Sequence, residues 1–402
     1  MGHPSRSSSK FRRLALVHAA MMGAEAAMVV ALADSFFFDV DPEAARSQVL
    51  LFLLVSFAPF VVLAPLIGPV IDRVRGGRRF VVQLVALTRI VVQVLMMRFV
   101  DELALFPLVF VALILQKTYI VSKSALVPSV VRSERELVEA NSKLGLIAGV
   151  TGAVAVVPAA LLQVVLGSTA TLGYGVALFG VALFAATQLP REVVIVSTSD
   201  GGPTKKLQLP GPLRAGADTM LLLRTAVGFV LFHLAFWFRN EGYATIWFGL
   251  AVALATAGVM GGNLIGPRLR SVMREETMLL SALALPAAIG IVTGLLAGPL
   301  AGIALALCVN FSAALARLAF ESLVQRDAPG VNRGQIFARY ETRFQFGWVV
   351  GATIPVLIAI PGALGYLLVG LLAMAGLAHY RAAASGADGR HGARRPRPIT
   401  RP

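Results

Sequence analysis

The chain has 402 residues, 57% of them hydrophobic and 14% charged, and a mean hydropathy of +0.78. Soluble domains hold about 45–50% apolar residues, so no soluble core could hide this much apolar surface, and a soluble enzyme is excluded. The net charge of +15 would suggest nucleic acid in a soluble protein, but here membrane topology competes to explain it, and the single Cys308 excludes a disulfide or thiolate cluster within one chain.

A membrane-crossing helix needs about 20 mostly apolar residues, so the length fits about twelve spans with short loops and tails. The first apolar run, 14–38, is too long for a signal-peptide core and no small-x-small cleavage pattern follows it, so it reads as a retained helix. Runs at 49–71, 80–100, 103–121, 144–166 and 171–189 complete a first half. Those at 219–238, 243–265, 278–297, 300–318, 344–360 and 363–380 form a second. The expected organisation is a tail at 1–13, a six-helix bundle at 14–189, a linker at 190–217, a second six-helix bundle at 218–380 and a basic tail at 381–402. Between the fourth and fifth spans, Ser133-Glu134-Arg135-Glu136 has the form of a capping box and predicts a short helix there. Asp200-Gly201-Gly202-Pro203 has linker composition. The last segment reads as a solvated tail, with contact to anionic lipid headgroups as the alternative.

With the amino terminus inside, the basic residues sort by side. Lys10, Arg12 and Arg13 fall inside, as do Arg73, Arg75, Arg78, Arg79, Arg132, Lys143, Lys205, Arg268, Arg274, Arg333, Arg339 and the arginines of the last segment. Outside lie little more than Arg46, Arg98 and Arg239, accompanied by acids. The basicity is therefore mainly the positive-inside signature of a multi-pass protein with both termini in the cytoplasm. Arg far exceeds Lys and Ala and Gly abound, which points to a bacterial plasma membrane.

The two halves repeat. Gly68-Pro69 recurs as Gly266-Pro267 at a shift of 198 residues, and 141–153 aligns with 341–352 at a shift of 199 to 200.

The strongest local motif is Gly68-Pro69-Val70-Ile71-Asp72-Arg73-Val74-Arg75-Gly76-Gly77-Arg78-Arg79, at an inside junction. It resembles the loop signature between the second and third helices of the major facilitator superfamily of transporters, and span count, inside termini and duplication extend that resemblance to essentially the whole chain. The resemblance implies an all-α membrane fold of two six-helix halves in which Gly68 permits close helix approach, Asp72 is a gate acid, and Arg73, Arg78 and Arg79 are its basic partners. A carboxylate near helix amino-terminal amides gains from their dipoles, so a latch there is physically sound. The motif departs from the pattern by the inserted Arg75 and Gly76, and the second-half copy has no acid. The fourth span has Gln116-Lys117 in place of the Arg-x-x-Gln-Gly of drug–proton antiporters, which weakens that subclass. The stretch 122–128 resembles the loop after the fourth helix in the macrolide-efflux-like branch.

Charges within spans cost about 2.5–3.5 kcal/mol each at a helix centre and therefore mark a pathway by default. Glu25, Arg89 and Lys117 are so placed. His18 and Glu25, seven apart, share a helix face and can offer two titratable groups to one cavity. Glu25 is the candidate for proton coupling, with a static ion pair to Arg89 or Lys117 as the equal alternative. Arg224 and Arg317 lie nearer the inside ends, where long stems can snorkel. By the family resemblance the first, fourth, seventh and tenth helices line the cavity, which implies Glu25, Lys117, His233, Asn310 and Arg317 near substrate. For His233 and Asn310, interhelical hydrogen bonding is the competing role.

No metalloprotease, nucleophile-elbow or nucleotide-binding motif is present, so the expectation is a non-enzymatic transporter without cofactor or metal. Its expected partners are a small-molecule substrate, protons and membrane lipids, not nucleic acid, and it is expected to act as a monomer. The expected activity is proton-coupled efflux of a lipophilic or amphipathic molecule by alternating access. The rivals are transport of an organic or lipid-like anion, motivated by Arg89 and Lys117, and a non-transporting membrane scaffold or sensor.

Overall fold

A computed structural model describes residues 6–33, 50, 53, 57, 77–100, 102, 104–131, 133, 136–189, 211–327 and 333–392. Among them the regular structure is entirely helical. In chain order the helices are α1 (Arg6–Ala33), α2 (Gly77–Arg98), α3 (Leu105–Val130), α4 (Glu136–Ala186), α5 (Gly211–Asn240), α6 (Thr245–Val272), α7 (Glu275–Leu296), α8 (Gly298–Asp327), α9 (Arg333–Leu357) and α10 (Gly362–Gly392). Nine of these ten are long and apolar enough to cross a membrane. The expected second span, 49–71, lies outside the described residues except for 50, 53 and 57.

α4 holds two crossings. A straight helix of its 51 residues would be about 76 Å long, more than twice the roughly 30 Å hydrocarbon core. At Gly167 the backbone takes φ 80°, a conformation glycine adopts without a Cβ clash, and the chain folds back. Thr171 Oγ1 then reaches the Ala159 carbonyl at 3.4 Å, twelve residues away, which no continuous helix allows.

α1, α2, α3 and both arms of α4 pack together, as do α5 to α10, and the two groups meet where α4 faces α6 and α8 and where α3 faces α9 and α8. Small residues permit the closest approaches. A Cβ on Gly290 would strike the backbone of Gly370, so α7 and α10 touch backbone to backbone there. Large apolar side chains such as Val157, Leu161 and Val164 of α4 point outward, as a lipid-facing surface requires.

The helix ends that carry the arginines gather on one side. Arg13 and Arg79 donate to the carbonyls of Gln188 (3.0 Å) and Leu189 (3.1 Å), joining the starts of α1 and α2 to the end of α4. Arg326 and Arg270 reach Glu275 at 3.3 and 2.9 Å, joining the ends of α8 and α6 to the start of α7. Arg343 meets Asp218 at 2.6 Å, joining α9 to α5. The second and third of these clusters lie within the second group, the first within the first, so each bundle is tied on its basic face.

Several helices outrun their apolar stretches on this face. α3 continues to Val130, so 122–128, expected to be loop, is helix. Ser122 Oγ bonds the Thr118 carbonyl at 2.8 Å within it, and burial of Ala125, Leu126 and Val127 outweighs the turn signal of Pro128. The helix expected at the capping box is not separate: the Glu136 amide bonds the Ser133 carbonyl at 3.1 Å and α4 runs on without a break into the fifth span. α5 starts at Gly211, inside the stretch read as linker, because Leu213, Ala215 and Ala217 are buried. α10 extends to Gly392, into the stretch read as tail.

Candidate functional site

Among the described residues, two clusters of charge lie inside the bundle. In the first, Glu25 of α1 meets Arg89 of α2, Oε2 to Nη2 at 2.6 Å, with side chains 8% and 1% accessible. The Arg89 guanidinium carbon stands 4.7 Å from the Phe179 ring centroid, and Nη2 lies 3.6 Å from the Met28 sulfur. Ring face and soft sulfur suit a weakly hydrated guanidinium. The alternative that paired Glu25 with Arg89 is thus the contact that forms. Two helical turns away, His18 Nδ1 lies 3.0 Å from the Tyr119 hydroxyl of α3, both groups buried. His18 and Glu25 share a face of α1, yet each is engaged by a different neighbouring helix.

The second cluster sits where the halves meet. Arg317 of α8 contacts Glu321 at 2.8 Å and Glu341 of α9 at 3.8 Å. Arg317, Lys117, Arg224 and Lys123 all act electrostatically on Glu341. Arg224 also donates to Gln345 Oε1 at 3.5 Å, one turn beyond Glu341 on α9. Arg317, Glu321, Glu341, Tyr340 and Ser124 line a small cavity between the halves, and 38% of the Arg317 side chain remains accessible. Arg317 therefore turns toward the carboxylates rather than snorkelling to the surface. The sequence repeat reappears here, since Lys117 and Arg317 occupy matching positions at a shift of 200, as do Asn141 and Glu341.

Neutral polar groups close the basic end between the halves. Asn141 of α4 donates to Gln325 Oε1 of α8 at 2.8 Å, and Gln325 Nε2 donates to the Ser124 carbonyl of α3 at 2.9 Å. Ser142 Oγ bonds the Asn263 carbonyl of α6. A Cβ on Gly145 would press into the Asn263 side chain, so only glycine allows this approach without rearrangement. Sequence reasoning used Asn141, Ser142 and Glu341 only as repeat markers and Lys123 only as part of the 122–128 resemblance, and it passed over Gln325 and Glu321. Their signal was polarity at the first or last turns of otherwise apolar helices, which also marks ordinary solvated ends.

Of the expected latch, Gly68, Asp72 and Arg73 lie outside the described residues. Gly77 and Arg78 open α2, and Arg79 caps the carbonyl end of α4 through Leu189, a favourable place for a cation at a helix C-terminus. His233 does not open onto a cavity: it is 2% accessible, stacked at 5.3 Å on Phe229, with Nε2 3.4 Å from the Gly362 carbonyl. Asn310 donates back to the Ala306 carbonyl at 2.9 Å and lines a mostly apolar recess of about 190 Å³ with Leu231, Phe248 and Thr256. Asn310 precedes Arg317 on α8 by two turns, toward the face away from the termini.

No protein-family model matches the chain. It is 28% identical over 404 residues to an uncharacterized protein of Mycobacterium leprae (strain TN), spanning 88% of this chain and 68% of that protein. It is likewise 28% identical over 405 residues to an uncharacterized protein of Mycobacterium tuberculosis (strain ATCC 25618 / H37Rv), spanning 88% and 70%. Among solved structures it is similar to a bacterial homologue of the iron transporter ferroportin in an outward-facing state, with a TM-score of 0.71, 16% identity, and 93% and 98% of the two chains covered. It is similar to the human organic anion transporter MFSD10, with a TM-score of 0.72, 14% identity, and 94% and 100% covered. It is also similar to the E. coli fucose:proton symporter, a major facilitator superfamily transporter, with a TM-score of 0.70, 12% identity, and 94% and 99% covered. The fold is that of major facilitator superfamily transporters.

Proposed function

We propose that the chain is a secondary transporter that exports a lipophilic or amphipathic small molecule across the bacterial plasma membrane by alternating access, acting as a monomer with both termini in the cytoplasm. The observation that carries this reading is the distribution of contacts between the halves. Hydrogen bonds from Asn141, Ser142 and Gln325 join them at the basic end, and the recess beside Asn310, lined by α5, α6 and α8 of the second half, lies toward the other. Neutral hydrogen bonds in a membrane interior contribute only about 0.6 kcal/mol each, so such an end can part and re-form within a transport cycle. The macrolide-efflux-like resemblance contributes less, because 122–128 is helical.

Glu25 carries the coupled proton in this proposal, and it can do so only when the cycle separates it from Arg89. The test is the lumenal pH of proteoliposomes challenged with lipophilic cations, neutral compounds and organic anions, beside a Glu25→Gln variant. Compound-triggered proton movement that the variant loses supports proton-coupled export. Labelled-compound exchange without proton movement sinks the coupling and keeps the transporter. Neither response, from correctly folded protein, favours a scaffold or sensor.

A further inference from the structure

α5, α6 and α8 form the recess of about 190 Å³ beside Asn310. Val230, Leu234 and Ala306 are buried and close its back. Val252, Thr256 and Val259, spaced along one face of α6, are exposed and form its mouth. None of the described residues that line it is charged, and among them only Thr256 and Asn310 are polar. An apolar cavity of about 150 Å³ admits benzene, so this recess has room for one ring with a short alkyl branch.

Both polar side chains spend a hydrogen on their own helix. Asn310 Nδ2 donates to the Ala306 carbonyl and Thr256 Oγ1 to the Val252 carbonyl, each at 2.9 Å. A hydroxyl has no second hydrogen, so Thr256 can only accept from a ligand, while Asn310 keeps one N–H beside a carbonyl oxygen with two lone pairs. Acceptors therefore outnumber donors at this site. A ligand hydroxyl or neutral amino group supplies the missing hydrogen, whereas an ether supplies none. A carboxylate would bring a charge that no group in the described lining offsets. We propose that the recess binds a compact, neutral, one-ring lipophile by its single hydrogen-bond donor, which Asn310 and Thr256 accept. As a substrate site this rests on the export reading and narrows its lipophilic molecule to one chemical class. The described lining belongs wholly to the second half, so a ligand held there stays with that half when the basic end parts.

The test uses full-length protein in nanodiscs, with empty nanodiscs correcting for partition into lipid. The probes share one propylphenyl body: 4-propylphenol, 4-propylanisole, propylbenzene and 4-propylbenzoate. 4-Propylphenol should bind saturably and about fivefold more tightly than any of the others. Asn310→Leu and Thr256→Val nearly keep the side-chain volumes and remove the acceptors. They should weaken 4-propylphenol about tenfold and about threefold and leave propylbenzene unchanged. Ala255→Phe fills the recess and should abolish binding of every probe, from protein that still melts cooperatively. Equal binding of 4-propylphenol and propylbenzene, or a phenol affinity that neither acceptor variant alters, overturns the proposal and leaves an apolar recess for lipid chains. Tighter binding of the anisole or the benzoate overturns it too, as does the absence of saturable binding. Distances across the two ends of the bundle separate this site from the export reading. Saturable phenol binding with both distances fixed under every compound upholds the site and overturns transport. Opposite changes at the two ends under another compound, without phenol binding, overturn the site and leave a transporter.

Discussion

The two interior charge clusters differ in kind. Glu25 and Arg89 are equal and opposite, held at 2.6 Å inside one half, and sealed by Phe179 and Met28. The cluster around Glu341 lies where helices of both halves meet, and Arg317, Glu321 and Glu341 line a cavity there. A closed pair holds its own bundle in one arrangement for as long as Glu25 and Arg89 stay together. An open cluster at the boundary is sensitive to how the halves sit. The same residue types are thus sealed inside one half in one place and shared between the halves in the other.

The largest effect should come from breaking the closed pair. Arg89→Met leaves the Glu25 carboxylate buried without its partner and should cost about 3–5 kcal/mol, seen as a collapse of folded yield and of thermal stability in detergent. The double variant Glu25→Gln/Arg89→Gln should recover most of the loss. If Arg89→Met alone is harmless, the pair is not the fixed element described here.

Next in size is the boundary itself. Gly145→Leu forces a large side chain against Asn263 and should shift the population toward opening at the basic end by about tenfold, or roughly 1.4 kcal/mol. Spin labels at the exposed Lys143 and Arg268, in a Cys308→Ser background, would report it as a longer distance. A smaller shift of the same sign, about 1 kcal/mol, should follow Asn141→Ala, which removes the hydrogen bond to Gln325. A distance that stays put in both variants would place the boundary elsewhere.

The smallest effect on stability should be at the cluster between the halves. For Lys117→Gln, attraction to Glu341 lost and repulsion from Arg224 and Arg317 relieved offset each other, so melting should change by less than it does for Arg89→Met. A loss as large as that of Arg89→Met would show that the two clusters are alike after all.

Much of the fold was legible because hydrophobic runs of about 20 residues report membrane crossings whatever surrounds them. Helix ends were not. α8 runs to Asp327 although its apolar run stops at Leu318, and α9 begins at Arg333 although its run begins at Phe344, because a helix continues past the hydrocarbon wherever neighbours bury it. Those overhanging turns carry Glu321, Gln325 and Glu341, so the boundary error and the missed site residues are one error. Glu25, Arg89 and Lys117 stood out because a charge in mid-span has few innocent explanations. Which of them pairs depends on helix rotation and neighbour choice, which no single-helix pattern encodes. Lys117 and Arg317 match across the repeat, and that symmetry was the one sequence signal that could have joined the cluster.

The most direct test of alternating access is a pair of distance distributions from double electron–electron resonance. One label pair, at Lys143 and Arg268, spans the basic end, and the other, at the exposed Glu102 and Glu241, spans the opposite end. The two should change in opposite directions when a transported compound is added, one closing as the other opens. A single, unchanging distribution at both ends, under every compound that binds, would contradict the account and leave a rigid membrane scaffold.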